Sequence, residues 1–160
     1  MKKVLYIMPG WEDTGNEEGY QKLGKIAKNK GYDVVVKNID WTRPLSHQVF
    51  DFPSESILFG FSLGAILAWL VAQEKQCQHL ILASMTPHYS FTDAEIKKAL
   101  IELAGDKFVN DIVENLKKNH MADQKTILYG DQEDESADIL VQDTDHELTD
   151  NYINELAKLL

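Results

Sequence analysis

The stretch ILFGFSLGAILAW, residues 57–69, decides the fold prediction because it places one hydroxyl between two glycines in an apolar run. Residues 56–60 form a short, mostly apolar run, which is typical of a buried strand. Residues 63–73 are apolar on nearly every side, which is typical of a helix covered on most faces. The pentapeptide GFSLG at 60–64 therefore places the pattern G-x-S-x-G at a junction between a strand and a helix.

Ser62, in the middle of this pattern, has two interpretations. It could be a polar residue of a buried turn whose hydroxyl satisfies backbone groups. Alternatively, a sharp bend holds the hydroxyl out so that it can react, and Gly60 and Gly64 are needed because Cβ atoms there would collide with the adjoining chain. In the second case the amide of Leu63 lies at the positive end of the helix, where it can stabilise an oxyanion.

Strand and helix patterns alternate along the rest of the chain. This alternation predicts an α/β fold, a three-layer sandwich whose mainly parallel sheet has about six strands. The predicted strands are 3–8, 33–36, 56–60, 79–84, 125–130 and 138–142, and the predicted helices are 16–29, 63–73, two segments over 92–118 that are separated at Gly105, and 149–160.

Composition limits the classes of protein that fit the chain. Its 160 residues, 44% of them hydrophobic, predict a single domain over 1–160, with no internal repeat or linker. A net charge of −10 argues against nucleic acid or an anionic membrane as a partner. The lone Cys77 permits no intrachain disulfide, the first apolar run is too short for a signal peptide, and no stretch is long enough to span a membrane. These features predict a cytoplasmic protein. The histidine spacings and the lone cysteine predict no metal site.

A reactive serine also needs a base and an acid that orients the base. In open α/β sheets such groups gather at the carboxyl ends of the strands. After the strand TILYG the chain offers Asp131, Glu133 and Asp134, and after the next strand it offers His146 in the segment DTDHEL. The order serine, acid, histidine is the one expected of this architecture.

These segments together resemble the α/β-hydrolase superfamily, in particular its small, nearly capless serine hydrolases and esterases. The resemblance covers YIMPGW after the first strand, GFSLGA, the acid after the late strand, and DHEL before the last helix. It implies a reduced α/β-hydrolase fold in which Ser62 is the nucleophile, His146 the base and Asp134 the acid. It also implies an oxyanion hole formed by the backbone amides of Trp11 and Leu63.

Two alternatives stay open at this stage. Glu133 or Asp131 could be the acid in place of Asp134. The chain could also be a catalytically inactive binding protein of the same fold, because the connection from Tyr129 to Ile139 is shorter than the dozen or so residues of a normal parallel crossover and could displace His146. The main expectation is a serine hydrolase that cleaves a small acyl ester or thioester without a cofactor. The sequence predicts neither the acyl-chain length of the substrate nor the oligomeric state of the protein.

Overall fold

One sheet of six parallel strands organises the protein, whose structure is a computed structural model that describes residues 3–160. The strands are β1 (Val4–Met8), β2 (Asp33–Val36), β3 (Ile57–Phe61), β4 (Cys77–Ala83), β5 (Ala122–Gly130) and β6 (Ile139–Val141). All six strands lie within two or three residues of the predicted positions. The structure has the α/β architecture that the alternating pattern predicts.

The strands lie in the order β2-β1-β3-β4-β5-β6. From β1 the chain first adds β2 on one side, and it then returns to add β3 and the later strands on the other side. The carboxyl ends of β1 and β3 are therefore where the winding direction reverses, and ligand sites of open α/β sheets form at such points. The chain segments that follow β1 and β3 are the ones that contain Trp11 and Ser62.

Helices cover both faces of the sheet. They are α1 (Glu18–Asn29), α2 (Leu63–Glu74), α3 (Pro87–Thr92), α4 (Ala94–Ala104), α5 (Asp106–Asn115) and α6 (Asp150–Lys158). Helices α1 and α6 pack on the face that buries Leu5 and Ile7, whereas α2 and the segment from α3 to α5 pack on the face that buries Tyr6 and Met8. Successive residues of β1 thus enter opposite cores, as expected for a strand covered on both sides.

Helix α2 confirms the expectation from its apolar sequence, since every residue from Leu63 to Ala72 is buried. Helix α4 begins at Ala94, two residues after the start of the predicted helical segment. The side chain of Asp93 caps this helix by accepting from the amides of Glu95 and Ile96, both at 3.0 Å. The break at Gly105 separates α4 from α5 as predicted.

The short connection after β5 does form a parallel crossover, although it contains no helix. Residues 131–138 are irregular, and β6 still pairs in parallel with β5 through Leu128 and Ile139, Tyr129 and Leu140, and Gly130 and Val141. Asp138 makes this possible. Its amide donates to Ile127 O at 3.0 Å, and its carboxylate accepts from the Ile127 amide at 2.8 Å. The backbone and the side chain of Asp138 thus both hold the start of β6 beside β5.

No helix within residues 3–160 is long and apolar enough to cross a membrane.

Candidate active site

Ser62 occupies a strained bend between β3 and α2. Its φ of 54° and ψ of −128° lie in a region that residues with a Cβ rarely adopt. The bend is held on both sides, because the Ser62 amide donates to Ala83 O at 2.8 Å and its carbonyl accepts from the Ala65 amide at 2.9 Å. This is the geometry of a nucleophile elbow, in which the serine is set at the end of a strand and the start of a helix.

Gly60 and Gly64 allow the chain to pass close to itself at this bend. A methyl group on Gly64 would collide with the carbonyl oxygens of Met8 and Pro9, and one on Gly60 would collide with the backbone of Gly64 and Ala65. Backbone atoms cannot move aside as a flexible side chain can. The two glycines are therefore required by close packing around the elbow.

We expect the substitution Gly64→Ala to lower the free energy of unfolding by about 2–4 kcal/mol, because the added methyl must displace the backbone of Met8 and Pro9. Gly24→Ala is the matched control, since a methyl there meets only Val34 Cγ1 at 3.6 Å and the helix α1 gains a better helix former. Urea unfolding of both variants measures the difference. A Gly64→Ala protein as stable as the wild type would contradict this account.

His146 meets Ser62 despite the short crossover. Its Nε2 lies 2.9 Å from Ser62 Oγ, within hydrogen-bond distance. Phe61 supports the ring, with the two ring centroids 5.3 Å apart, and the imidazole side chain is 48% exposed. The distance is the one that a base needs in order to take a proton from the hydroxyl.

Glu133 holds the other side of the imidazole. Its Oε1 lies 2.7 Å from His146 Nδ1, and its Oε2 accepts from Ser84 Oγ and from the Gly130 amide, each at 2.7 Å. Burial, which leaves only 7% of this side chain exposed, tends to raise the pKa of Glu133. The hydrogen bonds from His146, Ser84 and Gly130 outweigh burial and lower the pKa below its ordinary value. The carboxylate is therefore ionised near neutral pH.

The lowered pKa of Glu133 should affect how the free energy of unfolding depends on pH in acid. Because its pKa is lower in the folded protein than its ordinary value of 4.5, the unfolded chain takes up this proton first as the pH falls. We expect the free energy of unfolding to decrease from about pH 4.5 downward through the folded pKa, and to decrease less in Glu133→Gln, which has no proton to bind. Urea unfolding between about pH 6 and 3 measures both slopes. Equal slopes would contradict the expectation.

The contact with the imidazole that the sequence analysis expects of Asp134 belongs to Glu133 instead. Asp134 is the next residue, and at φ 55° the chain bends there and leaves Asp134 exposed. The longer glutamate side chain reaches the histidine from one position earlier. Asp131 has a different contact: its carboxylate accepts from the amides of Asp143 and Thr144, each at 3.1 Å. It thereby ties the loop after β5 to the segment that carries His146.

The two backbone amides expected to form the oxyanion hole belong to chain segments at the elbow. Gly10 lies against the serine, since a methyl placed on it would come within 3.2 Å of Ser62 Cβ, and Trp11 follows directly. Neither the Trp11 amide nor the Leu63 amide donates to an acceptor within residues 3–160. Both are thus available to a ligand, and the Leu63 amide also lies at the positive end of α2.

A cavity of about 530 Å³ opens beside the histidine. Phe61 and His146 form part of its wall, together with residues of α1 and of the segment that leads into α6. The imidazole is thus accessible from a space that can hold a small molecule. No group of three or more histidine, cysteine, aspartate or glutamate side chains in the part of the chain that the structure describes could hold a metal ion.

Sequence reasoning missed Ser84, the residue after β4 that donates to Glu133. It too has a positive φ, 53°, and it is 2% exposed. A serine after a strand carries no sequence signal of its own. Only the position of β4 between β3 and β5 brings Ser84 beside the acid.

The sheet order, the elbow and the helices on both faces define an α/β-hydrolase fold. Among solved structures, the chain is similar to Est1E from Butyrivibrio proteoclasticus, with a TM-score of 0.64 and 15% identity over 99% of this chain and 85% of that one. It is also similar to alpha/beta hydrolase domain-containing protein 10 from mouse, with a TM-score of 0.68 and 14% identity over 98% of this chain and 87% of that one. No protein-family model matches the sequence, and no curated protein matches it. At these identities the likeness establishes the fold.

Proposed function

We propose that the protein is a serine hydrolase that cleaves a small ester or thioester through an acyl-enzyme on Ser62. The observation that carries the proposal is the unbroken line of contacts from Ser62 Oγ through both nitrogens of His146 to Glu133, at 2.9 and 2.7 Å. A hydroxyl, an imidazole and an ionised carboxylate in this order form the arrangement that activates a serine for attack on a carbonyl. The α/β-hydrolase fold supports the proposal as an analogy.

In the first half of the reaction, His146 Nε2 takes the proton from Ser62 Oγ as the oxygen attacks the acyl carbon. Glu133 Oε1 accepts from Nδ1–H, which holds the ring in the tautomer with a free Nε2 and stabilises the imidazolium that forms. The amides of Trp11 and Leu63 would donate to the oxyanion. His146 then gives the proton to the departing alcohol or thiol, and the acyl group stays on Ser62.

In the second half, a water enters at the place that the leaving group has vacated. His146 takes a proton from this water, and the resulting hydroxide attacks the acyl carbon of the ester on Ser62. The oxyanion forms at the same amides and collapses, which releases the carboxylic acid and returns the proton to Ser62 Oγ. The strain at Ser62 serves this chemistry, because it holds the oxygen at the carboxyl end of β3, within hydrogen-bond distance of His146.

The alternative, a binding protein that has lost catalysis, needs the histidine to be displaced from the serine. The 2.9 Å contact between His146 and Ser62 favours catalysis over this alternative. The side chain of His146 is half exposed, so a substrate can approach the base from solvent.

Pre-steady-state hydrolysis of p-nitrophenyl esters with short to medium acyl chains tests the proposal. We expect a burst of p-nitrophenol equal to the enzyme concentration, followed by slower turnover, because acylation precedes deacylation. Matched thioesters and amides define the leaving groups that are accepted. Purified, folded protein that hydrolyses none of these substrates faster than buffer would overturn the proposal.

A further inference from the structure

Ser84 presents a buried hydroxyl to the acid from a neighbouring strand. Its amide donates to Leu128 O at 2.8 Å, and its Oγ donates to Glu133 Oε2 at 2.7 Å. The left-handed φ of 53° turns the residue away from the extended path of β4. Non-glycine residues rarely adopt this backbone region, so the bend at Ser84 is maintained by its surroundings.

The hydroxyl of Tyr152, a residue of α6, lies next to the hydroxyl of Ser84. It is fully buried, with its Oη 3.0 Å from Ser84 Oγ and 2.9 Å from Leu128 O. The two hydroxyls have two protons between them, but they make three contacts: with Glu133, with Leu128 O and with each other. Glu133 is ionised and can only accept, so the Ser84 proton goes to Glu133. The Tyr152 hydroxyl donates its one proton to Leu128 O, which also accepts from the Ser84 amide, and the Tyr152 oxygen lies against Ser84 Oγ. The hydroxyl proton that points at the carboxylate is therefore that of Ser84.

The charges around Glu133 show why such donors are needed. The ionisable groups that face it are His146, the phenols of Tyr129 and Tyr152, and the carboxyl of Glu135. Burial and the nearby Glu133 charge both raise the pKa of Tyr152, which keeps that phenol protonated and able to donate. Within residues 3–160, His146 is the one group among them that can carry positive charge. The ionised form of Glu133 therefore depends on neutral hydrogen-bond donors.

A glutamate also has one more rotatable bond than an aspartate, so its carboxylate needs more restraint. Gly130, whose amide contacts Oε2, is the last residue of β5 and lies three positions before Glu133. Ser84 directly follows β4 and Tyr152 belongs to α6, so both lie far from Glu133 in the chain, and both are buried. These two residues anchor the carboxylate to the core of the protein.

We propose that Ser84, packed against Tyr152, is a positioning residue for the catalytic acid: its buried hydroxyl donates to Glu133 and holds the carboxylate ionised and aimed at His146. The inference rests on the proposed function, in which Glu133 orients the base. It goes further in assigning roles to two residues that touch neither the substrate nor the histidine.

Ser84→Gly is the sharpest test, because glycine accepts the left-handed backbone and removes only the methylene and the hydroxyl. We expect kcat for a p-nitrophenyl ester to fall about tenfold with KM nearly unchanged, since the loss affects the transition state. In a plot of kcat against pH, we also expect activity to be lost at a higher pH on the acid side, because loss of a donor to the ionised form raises the pKa of Glu133. Tyr152→Phe should change both readouts in the same direction by a smaller amount, about two- to threefold in kcat.

A second readout needs no substrate. In protein labelled with ¹³C at the glutamate carboxyl carbons, with Glu133→Gln used for assignment, the Glu133 signal can be followed against pH. We expect it to titrate at higher pH in Ser84→Gly than in the wild type, because loss of a donor to the ionised form raises the pKa of Glu133. If Ser84→Gly does not fold, Ser84→Ala keeps the packing volume and gives the same two readouts.

Ser56→Ala is the matched control, a fully buried serine just before the amino end of β3 whose hydroxyl has no partner within residues 3–160. It should leave kcat and the Glu133 titration unchanged. A Ser84→Gly enzyme with wild-type kcat and wild-type Glu133 titration would overturn the inference and leave the proposed function standing. A wild type without activity would overturn the proposed function, whereas the titration would still decide whether Ser84 stabilises the carboxylate.

Discussion

Ser62→Ala is expected to lower kcat for ester hydrolysis by about four to six orders of magnitude, which removes the burst and nearly all turnover. The reason is that no other hydroxyl lies within reach of His146 Nε2 among the described residues. The rate that remains would come from substrate binding and from the two amides at the elbow. Steady-state hydrolysis, measured on protein free of host esterases, gives the value.

Stability should respond to Ser62→Ala in a different way from activity. The substitution keeps the Cβ in the strained bend and removes one hydroxyl of a residue that is 8% exposed, together with its contact to His146, so urea unfolding should stay within about 1 kcal/mol of the wild type. Ser56→Ala serves as the control for serine removal and should keep full activity. A Ser62→Ala protein that hydrolyses the ester at more than about a hundredth of the wild-type rate would contradict the role given to Ser62.

Glu133→Gln is expected to lower kcat by about 10³–10⁴-fold, whereas Asp134→Asn should leave kcat within about twofold of the wild type. The amide of glutamine can place an N–H against His146 Nδ1, which favours the wrong tautomer and leaves the imidazolium without its anion. Asp134 is exposed, and the contact with His146 belongs to Glu133. The two adjacent carboxylates thus form a natural matched pair.

Hydrolysis of one p-nitrophenyl ester by both variants decides between the two acids. Circular dichroism and urea unfolding of each variant exclude a loss of structure as the cause. The reverse result, an inactive Asp134→Asn and an active Glu133→Gln, would restore the acid that the sequence analysis expects and contradict the geometry of the site.

The sheet, its strands and the elbow could be predicted because their determinants are local. Short apolar runs separated by amphipathic helices indicate buried parallel strands, and the two glycines around Ser62 indicate a bend at one position. Helix α2 is apolar all round because it is buried all round. Such patterns need no knowledge of which distant segments meet.

The identity of the carboxylate at His146 could not be predicted, because it depends on the direction of side chains in an irregular loop. Residues 131–138 contain several carboxylates, and the bend at Asp134 decides which one turns inward. The loop also departs from the usual crossover, since it contains no helix, and the amide and carboxylate of Asp138 both hydrogen-bond to Ile127 just before β6 begins. Neither feature follows from spacing or composition.

The contact of Ser84 with the acid and that of Tyr152 with Ser84 could not be predicted from the sequence for a related reason. Each looks like an ordinary residue of its element, and only the order of strands β3, β4 and β5 and the packing of α6 bring them together beside Glu133. Contacts between segments so far apart in the chain arise from the tertiary fold.

Mass spectrometry after treatment with a fluorophosphonate tests most directly whether His146 activates Ser62. The account predicts one phosphonyl group per protein, located on Ser62 by peptide mapping, and a strongly reduced rate of labelling in His146→Gln. Folded wild-type protein that stays unlabelled, or that carries the adduct on another residue, would contradict it.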